Sequence, residues 1–332
     1  MSGRIVIAGG SGFLGRTLCR ALLSGGYEVT ILTRSAPAEE PRVRHVPWDG
    51  ATVGDWAGQL EGAKAVVNLA GRSVNCRQTA ENRRQILESR VNSAGAIAQA
   101  IARCAEPPEA LVQASAVGIY GNAGDRICDE NAPVGEGFMA DLCRQWEAAA
   151  SAVGLPRTRR CILRIGLVLG RGGGALPVLM KLARWFLGGR AGSGRQYVSW
   201  IHVADLVRMV EWCIGSAECK VLSAEPQPPG LSAQNSALSA PAVLRGVFNA
   251  VAPTSITNDE FMRELRRAVH RPWSPPAPSW AVRLGAWVMG TNGELALGGQ
   301  RCVPGRFLEA GFEFRFPEVR GAVEEGVGLS HE

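Results

Sequence analysis

The sequence predicts an α/β protein: a doubly wound parallel sheet followed by a smaller, mainly helical C-terminal domain. Three observations predict it. Ile5–Ala8 is an apolar run of strand length that feeds the glycine-rich turn Gly9-Gly10-Ser11-Gly12-Phe13-Leu14-Gly15, and Arg16–Leu23 continues with helical spacing. A second apolar run over residues 65–71 closes on Ala70-Gly71, the pattern of a strand covered on both faces. Strand and helix patterns alternate over the first 165 residues, the rhythm of crossover connections in a parallel sheet whose ligands sit at the strands' C-terminal ends.

The glycines fit two templates at once. Gly10, Gly12 and Gly15 give G-x-G-x-x-G, and Gly9, Gly12 and Gly15 give G-x-x-G-x-x-G. Either way glycine allows the tight turn, lets backbone N–H groups approach a pyrophosphate, and lets the helix lie against the strand. Between a strand and a helix the motif points to a dinucleotide site, with Gly9, Ser11, Gly12, Phe13, Leu14 and Gly15 as candidate contacts. Gly25-Gly26 closes the first helix and Glu28–Thr33 forms a second strand. Sites for NAD place an acid at that strand's end. Here Thr33-Arg34-Ser35 stands instead, and a guanidinium binds the 2′-phosphate that a carboxylate would repel, so NADP(H) is the expected cofactor.

Residues 36–44 read as a Pro- and Ala-rich loop, and Val43–Trp48 as a third strand with Asp49 at its end near an adenine. Small residues at Ala70-Gly71 allow close contact with a cofactor. A charged helix from about Glu81 to Ala102 carries Gln85 and Arg90 as candidates to face it. Ala110–Ser115 is the next strand, running into Ala116–Gly121; a loop with Asp129-Glu130 and a helix with Asp141, Trp146 and Glu147 follow. Cys161–Ile165 is a sixth strand, ending in Gly166–Gly170 and the loop Arg171–Gly174. Beyond it, residues 175–187 read as an amphipathic helix, Gly188–Gly194 as a flexible glycine-rich stretch, and Asp205–Ile214 as a helix. Residues 223–242, rich in Pro, Ser, Ala and Gln, read as a disordered insertion. Gly246–Val251 reads as another strand and Asn258 as the N-cap of a helix through Phe261 and Leu265, before a Pro-rich run at 272–278 and a closing Phe312–Phe316 segment. The domain expectation is 1–170 for the nucleotide domain, with 195–222 and 245–252 returning to it. Residues 171–194 and 253–330 then form the part that closes over a substrate.

Composition narrows the partners. The 332 residues carry a net charge of +6, but the basic residues are scattered and lack an interleaved aromatic cluster, which excludes a nucleic-acid face. Only three of the 36 basic residues are lysine: Lys64, Lys181 and Lys220. No apolar run approaches the roughly 18 residues of a membrane span. The best two, Leu176–Leu187 and Trp280–Met289, are interrupted by Lys181, Arg184 and Arg283 and read as amphipathic helices, so no membrane partner is expected. Nine cysteines without C-x-x-C or metal-type spacing imply reduced thiols, no metal and a cytoplasmic location. The first strand begins by residue 4, leaving no room for a signal peptide.

These residues resemble the extended short-chain dehydrogenase/reductase superfamily, and within it the atypical "epimerase family" branch often labelled nucleoside-diphosphate-sugar epimerase. The resemblance rests on Gly9–Gly15, Thr33-Arg34, Asn68–Gly71, Glu88–Val91, Ser115–Gly118 with Tyr120-Gly121, and Trp146–Ala150. It continues through Arg164–Gly174, Gly192–Gly194, Trp200–His202, Gly299–Arg301 with Pro304, and Gly311-Phe312. It implies a Rossmann domain with NADP(H), and contacts from Thr33, Arg34, Leu69, Ala70, Gln85, Arg90 and Val168. It brings no substrate.

The superfamily's proton-transfer pair, Tyr-x-x-x-Lys with a Ser or Thr, is missing. Four residues after Tyr27, Tyr120 and Tyr197 stand Ile31, Gly124 and Ile201. Aligning Glu147 with the acid that usually follows the pair puts Met139 and Cys143 in its place, and Ala116 at the Ser/Thr position with Ser115 beside it. Three readings follow. An oxidoreductase or epimerase on a small carbonyl or hydroxyl substrate would use another proton donor, with Tyr120 and Ser115 the candidates and Asp129, Glu130 and His202 possible partners. A non-catalytic NADP(H) sensor is the alternative. A standard nucleotide-sugar epimerase fits worst, because it needs the pair that is absent.

Overall fold

The computed structural model describes residues 3–34, 42–215 and 244–328, so the insertion expected at 223–242 lies outside the described residues. In chain order the elements begin β1 (Arg4–Ala8), α1 (Phe13–Ser24), β2 (Glu28–Thr33), β3 (Val43–Pro47), β4 (Ala65–Asn68), α2 (Ala80–Ala102), β5 (Ala110–Ala116) and β6 (Ile127–Cys128). They continue with α3 (Phe138–Ser151), β7 (Arg159–Ile165), β8 (Leu167–Leu169), α4 (Leu176–Arg184), β9 (Tyr197–Val198), β10 (Trp200–His202) and α5 (Val203–Gly215). The remainder is β11 (Gly246–Ala250), β12 (Ile256–Thr257), α6 (Asn258–Ala268), α7 (Ser279–Val288), α8 (Glu294–Leu297), β13 (Arg301–Cys302), α9 (Gly305–Glu309) and α10 (Val319–Val327).

Seven strands form one sheet in the order β11-β7-β5-β4-β1-β2-β3, and every pair is parallel. Parallel strands need covered faces, and both are covered. On one face Leu18 and Leu22 of α1 and Leu206, Met209 and Val210 of α5 pack over Ile5, Ile7 and Val29. On the other, Ile97 and Ile101 of α2 pack with Trp48, Trp56 and Leu60 over Val6, Leu32 and Val66. The chain winds outward in both directions from β1, so the order reverses between β1 and β4. That switch point is where open α/β sheets leave a crevice. Register fixes what lines it: Ala8 lies opposite both Leu32 and Asn68, and Asn68 lies opposite Gln113. Gly9, Thr33 and Leu69 therefore leave their strands at one level, and Ser115 stands just beyond it.

The C-terminal region has its own core, in which Leu176 and Met180 of α4, Phe261 and Leu265 of α6, and Val319 and Val323 of α10 surround Trp200. Two local expectations are corrected here. Thr257, not Asn258, caps α6: Thr257 and Glu260 form a reciprocal capping box. Asn258 is freed for another task, and its Oδ1 accepts the Ala191 N–H at 2.8 Å. The glycine-rich stretch 188–194 is tied down rather than flexible. A Cβ on Gly189 would fall 1.8 Å from the Pro275 carbonyl oxygen, so only glycine lets these two segments touch. Ala277 then accepts from Gly192 and donates to Arg190.

Candidate functional site

The turn after β1 assigns each glycine a separate job. Gly9 has φ +80°, and a Cβ there would lie 2.9 Å from the Ala70 nitrogen, so the ends of β1 and β4 are in contact. Gly15 lets α1 lie on the turn, since its Cβ would sit 2.5 Å from the Cα of Gly10. Gly12 differs: the nearest atom to its Cβ position is 3.7 Å away, so its missing side chain leaves a clearing. Gly12 is the N-cap of α1, in extended conformation, and no side chain caps the helix. The first-turn N–H groups therefore have no intrahelical acceptor, and the helix dipole adds partial positive charge there. Such a clearing lined by N–H donors fits an anionic pyrophosphate. Phe13 and Leu14 turn their side chains into packing. A Cβ on Gly173 would fall 2.4 Å from the Phe13 ring, so the loop after β8 rests on the start of α1, and Leu14 joins the main core. Ser11 is exposed, and its carbonyl accepts from the Arg16 guanidinium.

At the end of β2, Thr33 is buried and Arg34 is exposed. Arg34 lines a cleft of about 720 Å³ together with Arg44, Pro47, Trp48 and Asp49. Two guanidinium groups thus share the cleft with the carboxylates of Asp49 and Asp55. Asp49 is held by its own turn: its carboxylate accepts from the N–H groups of Ala51 (2.8 Å) and Thr52 (2.9 Å) and from the Thr52 hydroxyl (2.5 Å). These bonds, the hydroxyl's above all, keep its carboxyl below the ordinary value.

The loop after β4 is shaped from beneath. Buried Asn68 donates to Gln113 Oε1 at 2.9 Å and accepts the Ala70 N–H at 3.0 Å, which bends Leu69-Ala70-Gly71 across the crevice. Ser89 of α2 accepts the Arg72 N–H at 3.0 Å, and Arg90 Nη1 donates to the Arg72 carbonyl at 2.8 Å. The Arg90 guanidinium also stacks on Trp146, and a Cβ on Gly71 would lie 3.1 Å from it. Val168, half-buried in β8, pairs with Ile201 and turns its carbonyl toward Gly174.

At the end of β5 a polar chain runs across the sheet. Ser115 Oγ donates to Glu147 Oε1 at 2.6 Å, and Arg164 grips both oxygens of Glu147 at 2.9 Å. Arg164 Nη1 also donates to the Tyr120 hydroxyl at 2.9 Å, and that hydroxyl lies 2.7 Å from Asn249 Oδ1 and 2.9 Å from the Asp129 carbonyl. Asn249 Nδ2 donates onward to the carbonyls of Cys128 and Val303.

Comparison with known proteins agrees with this geometry. Residues 5–220 match the NAD dependent epimerase/dehydratase family, and residues 277–325 match a C-terminal domain of unknown function, DUF1731. The chain belongs to the NAD dependent epimerase/dehydratase family. Relatives in this family include the bovine epimerase family protein SDR39U1, 34% identical over 97% of this chain and 99% of that one. The Bacillus subtilis epimerase family protein YfhF is 30% identical over 97% of both chains. The crystal structure of human epimerase family protein SDR39U1 (isoform2) with NADPH superposes with a TM-score of 0.80 at 31% identity, covering 98% of this chain and 99% of that one.

Tyr120 and His202, which the sequence offers for proton transfer, are both buried. Tyr120 is not presented to the crevice: it is 1% exposed, its hydroxyl is fully engaged, and burial pushes the phenol up to about 12 despite the pull of Arg164. His202 is also internal. Its Nδ1 accepts the Ala204 N–H, its Nε2 faces Glu325 of α10 at 3.2 Å, and burial lowers its pKa, so it ties α5 to the C-terminal helix. Asp129 is exposed and meets Tyr120 only through its backbone carbonyl, while Glu130 Oε1 accepts the N–H groups of Asn249 and Arg306. On α2, Gln85 donates to Glu81 one turn earlier, and Arg90 supports the 70–72 loop. Cys143, at the expected lysine position, is a buried thiol pushed up to about 12 by burial and carries no positive charge.

The sequence reading missed the Glu147–Arg164 pair and Asn249. The signal was present. A lone arginine in the apolar strand Cys161–Ile165 must find a buried anion, and a lone asparagine in Gly246–Val251 must find hydrogen bonds.

Proposed function

We propose that this chain binds NADPH along the C-terminal edge of the sheet, and that its function rests on that dinucleotide without tyrosine-driven epimerisation. One observation carries the reading: the clearing at Gly12, between the touching ends of β1 and β4, with Arg34 just past the end of the neighbouring strand β2. In it the pyrophosphate meets the N–H groups of Gly12, Phe13 and Leu14, and the 2′-phosphate meets Arg34. Gly9, Ser11, Gly15, Thr33, Leu69, Ala70, Gly71 and Val168 complete the edge, with Arg90 positioning the loop and Gln85 beside it. NADPH in a relative 31% identical over nearly the whole chain supports the choice. So does the absence of an acid at Arg34. None of the eight described cysteines is in a disulfide, which supports a reducing compartment such as the cytoplasm, and no described helix is long and apolar enough to cross a membrane.

When bound, the dinucleotide supplies a hydride. The chain's own residues divide two readings of what happens next. The saturated Tyr120 hydroxyl favours a protein that responds to NADP(H) without turnover. The second reading is a reductase of a small carbonyl compound, favoured by the Ser115 hydroxyl at the end of β5 with a carboxylate 2.6 Å behind it. Arg164 grips that carboxylate from the other side, and the Ser115 hydroxyl donates to it. A nucleotide-sugar epimerase is third, for want of a tyrosine base. Titration of the protein with NADPH and NADH tests the binding: Arg34→Ala is expected to weaken NADPH by about 2 kcal/mol, roughly thirtyfold, and NADH less than about twofold. Equal losses would refute the 2′-phosphate assignment. A carbonyl panel with NADPH divides the two readings, since turnover abolished by Ser115→Ala makes it a reductase, and tight binding without turnover makes it a responder.

A further inference from the structure

Helix α7 is turned inside out. Its buried residue is Ala286, while Trp280, Leu284, Trp287 and Val288, spaced along one helical face, are 68%, 54%, 62% and 68% exposed. A second set of large apolar side chains, Trp185, Leu187 and Trp273, is exposed on the segments leading to it. The 184–187 and 271–274 segments lie together, because Ser274 donates to the Phe186 carbonyl at 2.5 Å and Arg271 donates to the Arg184 carbonyl at 3.1 Å, and the second of them leads into α7. Cations outnumber acids on these segments. The sequence has no Asp or Glu between Glu147 and Asp205, and none between Glu264 and Glu294, and Lys181 and Arg184 are exposed next to Trp185 and Leu187; Arg283 on α7 is paired with Glu294 at 2.9 Å.

We infer that this surface docks on an anionic lipid bilayer, with α7 lying in the headgroup region. A helix with tryptophans on one face and arginines around it matches the chemistry of that boundary, where indole rings settle and anionic headgroups attract the cations. A second copy of this chain is disfavoured, because a self-complementary contact would bring the same cations together on both sides. The expectation of no membrane partner rested on span length, which does not bear on a helix lying in the surface.

Flotation of the full chain with vesicles of pure phosphatidylcholine and of equimolar phosphatidylcholine and phosphatidylglycerol tests the inference. The chain is expected to float with the mixed vesicles alone and to be released by high salt. Trp280→Gln with Trp287→Gln is expected to lower partitioning by about tenfold or more with the thermal transition unchanged. Quenching of tryptophan emission by brominated lipid in the wild-type chain gives the same reading without any variant. Failure to float with the mixed vesicles, or equal flotation of the double variant, overturns the inference. So does a wild-type dimer in sedimentation velocity that the double variant converts to monomer, since a second copy would then cover the face.

Discussion

Replacing Tyr120 with Phe separates packing from catalysis. The hydroxyl accepts from Arg164 at 2.9 Å and lies 2.7 Å from Asn249 Oδ1, under a ring that is 1% exposed. Phenylalanine keeps the ring's shape, so no cavity forms. What is lost is one hydrogen bond to a charged donor, worth about 1.5–3 kcal/mol, and the amide oxygen of Asn249 loses a partner as well. The expected destabilisation is about 2–3 kcal/mol, or a fall of roughly 3–4 °C in Tm for a chain of this size. NADPH affinity, measured by titration of the folded variant, is expected to stay within about twofold of wild type, because no bond of this hydroxyl reaches the crevice. Turnover per folded molecule, if the chain has any, is expected to be equally unchanged. An unaltered Tm together with abolished turnover would refute the packing role and return Tyr120 to the chemistry.

Two further outcomes follow from the geometry. Gly12→Ala is expected to fold with stability within about 1 kcal/mol of wild type and to bind NADPH at least about tenfold more weakly, since its Cβ would occupy the clearing; Gly15→Ala is expected to lose about 2–4 kcal/mol of stability, because its Cβ would meet backbone at 2.5 Å. Comparable unfolding midpoints for the two variants would sink this division of labour. Burial depresses the pKa of His202 below its ordinary 6.5, so the unfolded chain takes up the proton first as the pH falls. Its contribution to stability is therefore present above about pH 6.5 and is lost below it, down to the folded pKa. Urea unfolding at about pH 7.5 and about pH 5.5 should show a larger loss for wild type than for His202→Gln, and identical losses would exclude His202 as the source.

The sheet and its switch point were legible because periodicity and glycine spacing are local signals. Ile5–Ala8, Gly9–Gly15 and the Ala70-Gly71 closure can be read without knowing any long-range contact. The groups behind the crevice could not be placed that way. Ser115, Glu147 and Arg164 lie on three elements, and only the register of β5 against β7, with Ser115 opposite Arg164, brings them together. The misplaced helix cap has a similar origin: Asn258 and Thr257 are both good caps by composition, and the Ala191 N–H, 67 residues away, decides between them. Tyr120 sits where its sequence position placed it, just past a strand end. Its hydroxyl turns inward because Arg164 and Asn249, on neighbouring strands, are both available to receive it.

The same strands hold the C-terminal segment in a way that limits how the molecule can open. Asn249 donates to the Val303 carbonyl, Glu130 accepts the Arg306 N–H, and the Arg306 guanidinium donates to the carbonyls of Val247 and Arg245. Pulling residues 301–306 from the sheet would strip partners from Asn249 and Glu130 together, so this seam behaves as a weld. Helix α7 is tied to the body by thinner threads, an Arg77 contact with Trp287 and a bond between Thr291 and Asn75. The segment entering α7 is fixed as well, since Ala277 bonds both Arg190 and Gly192, so the helix and the seam are anchored to separate parts of the body.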